Sequence, residues 1–555
     1  MCLHPEPLLP VPAETAQVAR AAFPKGHPYL QLRDEFDPLF RDEQFAALFP
    51  ARGQAAEAPW RLAVVTLLQY AENLSDLQAA DAVRSRIDWK YLLGLPLTDA
   101  GFDASVLGEF RARLVAGSAE LLLFESLLDQ FRARRLLKAR GQQRTDSTHV
   151  LAAVRCLSRL ESVGEAMRHT LNTLAVVAPE WLRAHSRPEW VERYERRFEE
   201  QRLPQSALKR DQLARAIGSD GDYLLTAIWA GDSEAPGAAW LREVPAVETL
   251  RQFWLQQYQC ERVGKREQVR WRAEADLPPM PQRLISPYDP EARYGKKRST
   301  TWLGYKVHFT ETCEAETPLL ITDVQTTPPL EVDSESVPAI QAALQERDLL
   351  PAVQSADAGY VDAGTLVSSQ ERFQVNLVGP ALADTSWQGQ AGKGFAASDF
   401  TIHWSEQYAI CPGEQRSIAW HEKAERGRPV IAIYFSRPGC RACPHRADCT
   451  RAAAGRRLTV RPETEHRALQ AAREREGTPE FRAVYAARAG VEGTHTQAIR
   501  RCGLRRCRYV GTAKVHLQHL LTAAALNFVR VGAWLMQTPR ARTRESAFVR
   551  LLGTA

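Results

Sequence analysis

Residues 300–313, TTWLGYKVHFTETC, alternate apolar and polar side chains with the period of a β-strand, and a turn separates them from a second such run, LLITDVQTTPP. This predicts an antiparallel pair. SVPAIQAALQERDL follows with helical spacing and ends before Pro351, and PAVQSADAGY then reads as a strand running out into a Gly-containing turn. Far upstream, GQQRTDSTHV (141–150) is a short β-prone segment. Strand, strand, strand, helix, strand is the order of a mixed α/β sheet, and the Arg/Glu-rich helical stretch from about 151 to 280 is expected as an insertion in it.

Two acids sit where these strands end. Asp146 lies in the first strand segment, and Asp357 follows apolar residues just before Gly359. Carboxylates at strand ends of an α/β sheet face the crevice where ligands bind, which makes them candidate metal ligands. The competing reading, an Asp that stabilises its own turn, is the commoner case for Asp-x-Gly. A third carboxylate is available in FRAVYAARAGVEGTHTQAIRRCGLRRCRYVG: Tyr485, Arg488 and Glu492 are spaced i, i+3, i+7 and fall on one face of a single helix. Such a face can present a carboxylate to a divalent cation and a guanidinium to a phosphate, although Arg and Glu so spaced usually make a surface ion pair.

The net charge of +6 conceals an asymmetry. Residues 451–555 carry 20 Lys+Arg against 7 Asp+Glu, and Arg500, Arg501, Arg505, Arg506 and Arg508 crowd into nine positions. Arginine forks onto phosphate oxygens in a way lysine cannot, so a polyanionic partner is expected for this end of the chain; a solvated basic face is the plainer alternative. Four of the ten cysteines, Cys411, Cys440, Cys443 and Cys449, form one cluster. The Cys-x-x-Cys spacing presents two thiolates to one tetrahedral Zn²⁺, and a closed four-thiolate site is expected in preference to free thiols or a redox pair.

The 555 residues exceed three ordinary domains, with 45% hydrophobic and 25% charged residues, which excludes disordered and fibrous classes. No signal peptide or membrane span is expected: the start lacks a basic and apolar run, and Asn527 and Arg530 interrupt the longest apolar stretch. The predicted organisation is a loose Pro-rich arm (1–29), a helical domain (30–140), an α/β domain (141–380 and 465–535), a β-rich, Cys-containing subdomain inserted at 381–464, and a tail (536–555). Within 30–140, Pro59 suits a first helical position and Ser75 an N-cap. Short helices with exposed arginines suit a helix-turn-helix reader of DNA, but an ordinary bundle is the commoner arrangement.

RTDSTHV, SPYDPEARYGKKRSTTWLGYKVHFTET, SADAGYVD and the run from Tyr485 through GLRRCRYVGTAKVHLQHLLTAAALNFVR resemble, in this order, the bacterial insertion-sequence transposases of the DDE class. LSDLQAADAVRSRIDWKYLLGLPLTDAGFDASVLGEFRARL is similar to the helical domain that precedes their catalytic core. The resemblance implies an RNase H-like catalytic domain with Asp146, Asp357 and Glu492 as catalytic acids holding two Mg²⁺ or Mn²⁺ roughly 3.5 to 4 Å apart. Tyr485 and Arg488 match the Tyr-x-x-Arg-x-x-x-Glu signature. The Lys that often follows seven residues after the Glu is Ile499 here, and Arg500 or Arg501 substitutes for it. The implied partners are double-stranded DNA, as terminal inverted repeats and target, gripped by Tyr485, Arg488 and the 500–508 arginines, and a second copy of the chain in a dimer on that DNA. The implied location is the cytoplasm. A non-cleaving DNA-binding protein and a nuclease that does not join strands are the alternatives.

Overall fold

In the computed structural model the described residues are 2–5, 10–36, 38–198, 203–230, 239–263, 266–425, 427–540 and 551. Most of the expected tail, 536–555, therefore lies outside them, as do residues 1 and 6–9 of the arm.

Six strands build the central sheet: β1 (Gln142–Leu151), β2 (Arg293–Lys297), β3 (Thr300–Thr312), β4 (Ile321–Thr327), β5 (Val353–Ala356) and β6 (Asn376–Val378). The order is β2-β3-β1-β5-β6, with β4 sharing the outer edge of β3 with β2. β3 runs antiparallel to β1, β2 and β4, while β5 is parallel to both β1 and β6. The mixed sheet and the antiparallel pair thus follow the expected order. The connection from β4 to β5 is α2 (Asp333–Glu346), and that from β5 to β6 is α3 (Ala363–Phe373). α2 begins three residues earlier than the apolar spacing suggests and accommodates Pro338 inside its first turns. Pro338 is the sixth residue of the helix, so the ladder forgoes the bond an amide there would make to the Ser334 carbonyl.

The helices of 30–140 do not form a separate globule. Their apolar faces, the sheet and the long C-terminal helix share one core, in which Trp89, Phe110 and Phe124 lie in the same cluster as Val307, Phe309 and Leu520. The reason is that last helix (Thr512–Leu535): Leu517 through Phe528 are buried on every side, and the polar Asn527 among them is satisfied by the Ile321 backbone. It packs against both the Pro59–Glu72 helix and β4. We call the Pro59–Glu72 helix α1. Local signals in the helical part act as read from sequence: Pro59 opens α1, and Ser75 accepts a hydrogen bond from the Gln78 amide in a reciprocal capping box.

Two parts of the chain depart from expectation. Residues 13–22 of the arm form a helix whose Thr15 and Ala19 are buried, Thr15 donating to the Leu95 carbonyl at 2.8 Å; anchoring of these small residues outweighs the surrounding prolines. The 151–280 insertion is helical with its own core, but it closes with a hairpin, Tyr258–Val263 against Arg266–Trp271. Glu, Arg and Gln give that stretch helical propensity, and burial of Tyr258 against Trp254 and Trp271 overrides it. The 381–464 insertion is β-rich, with a three-stranded and a two-stranded sheet around a small core.

Candidate active site

Asp146 and Asp357 are brought together by strand register. β1 and β5 are parallel neighbours with Thr145 opposite Ala356, so each acid is the next residue along at the same end of adjacent strands. Asp357 does stabilise its own turn, accepting from the Gly359 amide at 2.8 Å through Oδ1. Its other oxygen remains available and faces Arg488 Nη2 at 3.9 Å. The two readings of Asp-x-Gly are compatible, each using one oxygen.

The third acid arrives from the far end of the chain. The Pro479–Ala486 helix tightens into a 3₁₀ turn at Ala487–Ala489 and continues as α4 (Gly490–Cys502). One uninterrupted helix was expected across Tyr485, Arg488 and Glu492; instead Arg488 occupies the tight turn and Glu492 the first turn of α4. The Thr512–Leu535 helix, which follows α4, is α5. Arg488 donates to Asp146 Oδ2 at 2.7 Å through Nη2 and to Glu492 Oε1 at 3.3 Å through Nη1. All three carboxylates therefore converge on one guanidinium. Tyr485 stacks on Phe481 and borders the same cluster, with Asp357 and Asp146 close enough to act on its phenol.

Asp146 is only 7% exposed, and burial pushes its carboxyl up to about 6, helped by Asp357 and opposed by Arg488 and the Ser147 amide. Glu492, by contrast, has a side chain 68% exposed. Hard oxygen donors at this charge density suit a divalent cation such as Mg²⁺. As they stand, no three or more His, Cys, Asp or Glu side chains among the described residues are arranged to hold a metal ion. For the acids the reason is visible: a guanidinium lies among them.

Three contributors were missed by sequence reading. Lys297, at the end of β2, acts on Asp146 from the open side. Asp333, the first residue of α2, accepts from Ser147 Oγ at 3.4 Å and is neutralised by Lys306 at 2.5 Å. Glu311 is fully buried behind the site. Only Lys297, within the polar GKKRS turn, carries a local signal.

The arginine run does not behave as one patch. Arg500, Arg501 and Arg506 are exposed. Gly503, in the left-handed region, ends α4 and turns the chain back. Arg505 then donates to the His149 carbonyl, while Arg508 donates to the Leu74 carbonyl and Asn73 Oδ1 and lies over the Tyr70 ring. Arg505 and Arg508 thus bind protein groups and tether β1 and the end of α1.

The four clustered cysteines come to one place without forming a metal-holding arrangement as they stand. Cys411, Cys440, Cys443 and Cys449 line a single pocket. The Gln415 amide points at Cys411 Sγ (3.3 Å) and the Arg456 amide at Cys440 Sγ (3.4 Å). Burial pushes the Cys449 thiol up, and the neighbouring cysteines add to the effect.

Two family models match the chain: Transposase DDE domain over residues 410–532, and Transposase domain (DUF772) over residues 17–113. No curated protein and no solved structure matches it. A helical transposase domain at the N-terminus and a DDE domain toward the C-terminus define a class, DNA transposases. Within that class, the two matched stretches support an insertion-sequence DDE transposase. The DDE match includes Arg488, Glu492 and the four cysteines; Asp146 and Asp357 lie outside both matched stretches, and for them the register and the shared guanidinium are the evidence. Among the described residues no helix is long and apolar enough to cross a membrane.

Proposed function

We propose that the protein cuts and joins the ends of an insertion element by two-metal phosphoryl transfer on an RNase H-like core, with Asp146, Asp357 and Glu492 as the metal-binding acids. The observation that carries this reading is the convergence of three carboxylates, far apart in sequence, on Arg488. The sheet order supports it too: four strands joined in antiparallel pairs through β3, then a helix, a strand parallel to β1, a second helix and one more parallel strand.

Divalent ions bound here would lower the pKa of a water, or later of a DNA 3′-hydroxyl, and stabilise the leaving oxygen. The protein's own groups do the rest. Asp146 and Asp357 supply oxygens fixed by strand backbone, and Glu492 supplies one that can close over the site. Arg488, freed from the acids when they take up cations, is within reach of a phosphate, for which a bidentate guanidinium is well matched. Lys297 adds charge on the open side. Arg500, Arg501 and Arg506 contact DNA phosphates, which makes affinity fall steeply with salt. Two ends must meet before joining, so a dimer on DNA belongs to the same reading. The deciding experiment incubates the protein with terminal-repeat DNA and Mg²⁺ and scores both nicks and joined strands. Joined products support a transposase, nicks alone a nuclease, and neither a DNA-binding protein.

A structural Zn²⁺ at Cys411, Cys440, Cys443 and Cys449 also forms part of this proposal. It is supported by four thiols on one pocket and by two amides aimed at sulfur, since N–H donors of this kind stabilise thiolates. The small core of this subdomain gives such a staple a purpose. Metal analysis of purified protein is expected to find one zinc per chain, lost in Cys440→Ser. Zinc-free protein with all four thiols freely titratable would remove the site.

A further inference from the structure

Glu311 has no exposed surface, yet it lies inside a sheet beside two cations. It stands directly opposite Arg144 in the β1–β3 register, and Arg144 donates to Glu311 Oε1 through Nε at 2.7 Å and Nη2 at 2.6 Å. Its other oxygen accepts from Thr494 Oγ1 at 2.6 Å and from Arg530 Nη1 at 2.8 Å. Arg530, on α5, also donates to Thr494 Oγ1 at 2.6 Å and to Gln497 Oε1 at 3.0 Å. Burial alone would push the Glu311 carboxyl up, but the two guanidiniums outweigh it and hold it below its ordinary range.

The positions of these partners matter more than their number. Arg144 lies two residues before Asp146, on the same face of β1. Through Nη1 it also donates to the Ala487 carbonyl at 2.5 Å, one residue before Arg488. Thr494 lies two residues after Glu492 on α4. Gly490, at the start of α4, presses on the Arg144 guanidinium so closely that an added Cβ would come within 2.1 Å of Nη1. One buried carboxylate thus ties the strand that carries Asp146 to the turn that carries Arg488 and the helix that carries Glu492.

We infer that Glu311 is a positioning residue: through Arg144 and Thr494 it fixes Glu492 and Arg488 against Asp146 and so sets the affinity of the acid cluster for divalent metal. This rests on the proposal that the three acids bind metal. Outer-shell partners of metal ligands typically cost 10–100-fold in affinity when removed.

The test uses the full chain without DNA and reads Mn²⁺ binding by electron paramagnetic resonance, with the Mg²⁺ dependence of nicking as a second readout. Glu311→Gln leaves two buried guanidiniums with a neutral partner and is at risk of misfolding, so Thr494→Val, which removes one donor and no charge, is the primary variant. Thr494→Val is expected to weaken Mn²⁺ binding about tenfold and to raise the Mg²⁺ needed for half-maximal nicking by a similar factor. Thr494→Ser, which keeps the hydroxyl, is expected to restore both. A merely structural role would lower the melting temperature without moving the metal midpoint. If Asp146→Asn loses Mn²⁺ while Thr494→Val binds it like the parent, the inference is overturned on its own. If Asp146→Asn leaves Mn²⁺ affinity intact, the metal reading of the acids is overturned first, and this inference with it.

Discussion

Asp146→Asn, Asp357→Asn and Glu492→Gln are each expected to reduce Mg²⁺-dependent cleavage of terminal-repeat DNA by at least ~10³-fold while leaving DNA binding within a few-fold of the parent. Losing one ligand from a carboxylate cage removes several kcal/mol of charge stabilisation in the transition state, and ~4 kcal/mol corresponds to ~10³ in rate. Binding survives because the exposed arginines 500, 501 and 506 lie outside the acid cluster. The three substitutions differ in a second respect. Asp146 is buried with its carboxyl raised to about 6, whereas Glu492 is mostly solvated. The folded pKa of Asp146 exceeds the unfolded one, so the folded state prefers the proton. The resulting cost to stability is fully present above about pH 6 and fades as the pH falls toward 4. In metal-free buffer, Asp146→Asn should therefore gain most relative to the parent above pH 6, by on the order of 3 kcal/mol with the Arg488 attraction already included, and the difference should vanish near pH 4. Denaturant unfolding at pH 4 and pH 7.5 measures it. Cleavage at the parental rate in any one of the three variants would reject the assignment.

How the site could be read from sequence depended on which interactions leave a periodic trace. The strand and helix order of 300–360 was legible because alternation and helical spacing are local, and Ser75 and Pro59 were legible because caps act within one turn. The acids were legible as types at strand ends, but their convergence rests on parallel pairing of Thr145 with Ala356, which no local pattern records. Glu311 stayed hidden for a related reason. In HFTET the polar residues look like a solvent face, yet β3 is covered on both sides and His308 through Thr312 are all buried. A strand buried on both faces in a mixed sheet loses the alternation that would have marked Glu311 as an intruder. The arginines illustrate the opposite failure. As a run they read as one surface, but the turn at Gly503 sends Arg505 and Arg508 inward while leaving their neighbours outside.

Gly304→Ala is expected to cost roughly 2–4 kcal/mol of stability. Gly304 lies within β3, opposite Leu151 on one side and Arg293 on the other, with φ +152°, where L-residues rarely sit. A Cβ there would lie 2.1 Å from the Val150 carbonyl oxygen and 2.7 Å from the Ala152 amide nitrogen. Both are backbone atoms, so no rotamer change relieves the contact, and β1 must separate from β3. The separation would begin where β1 is already held by a second clamp: the Leu151 amide donates to the Arg505 carbonyl at 2.9 Å and the Cys507 amide to the Leu151 carbonyl at 2.8 Å. Strain at Gly304 therefore reaches the segment that joins α4 to α5, as well as the strand that carries Asp146. The glycine is needed because three chain segments pass within backbone contact at this end of β1. Equilibrium denaturation of Gly304→Ala beside Gly392→Ala checks the argument. Gly392 also has positive φ (+62°) but no atom within 4 Å of an added Cβ, so it should show only the conformational part of the penalty, ~1 kcal/mol. Equal losses at the two positions would mean that backbone conformation, and not the close approach of β1, governs Gly304.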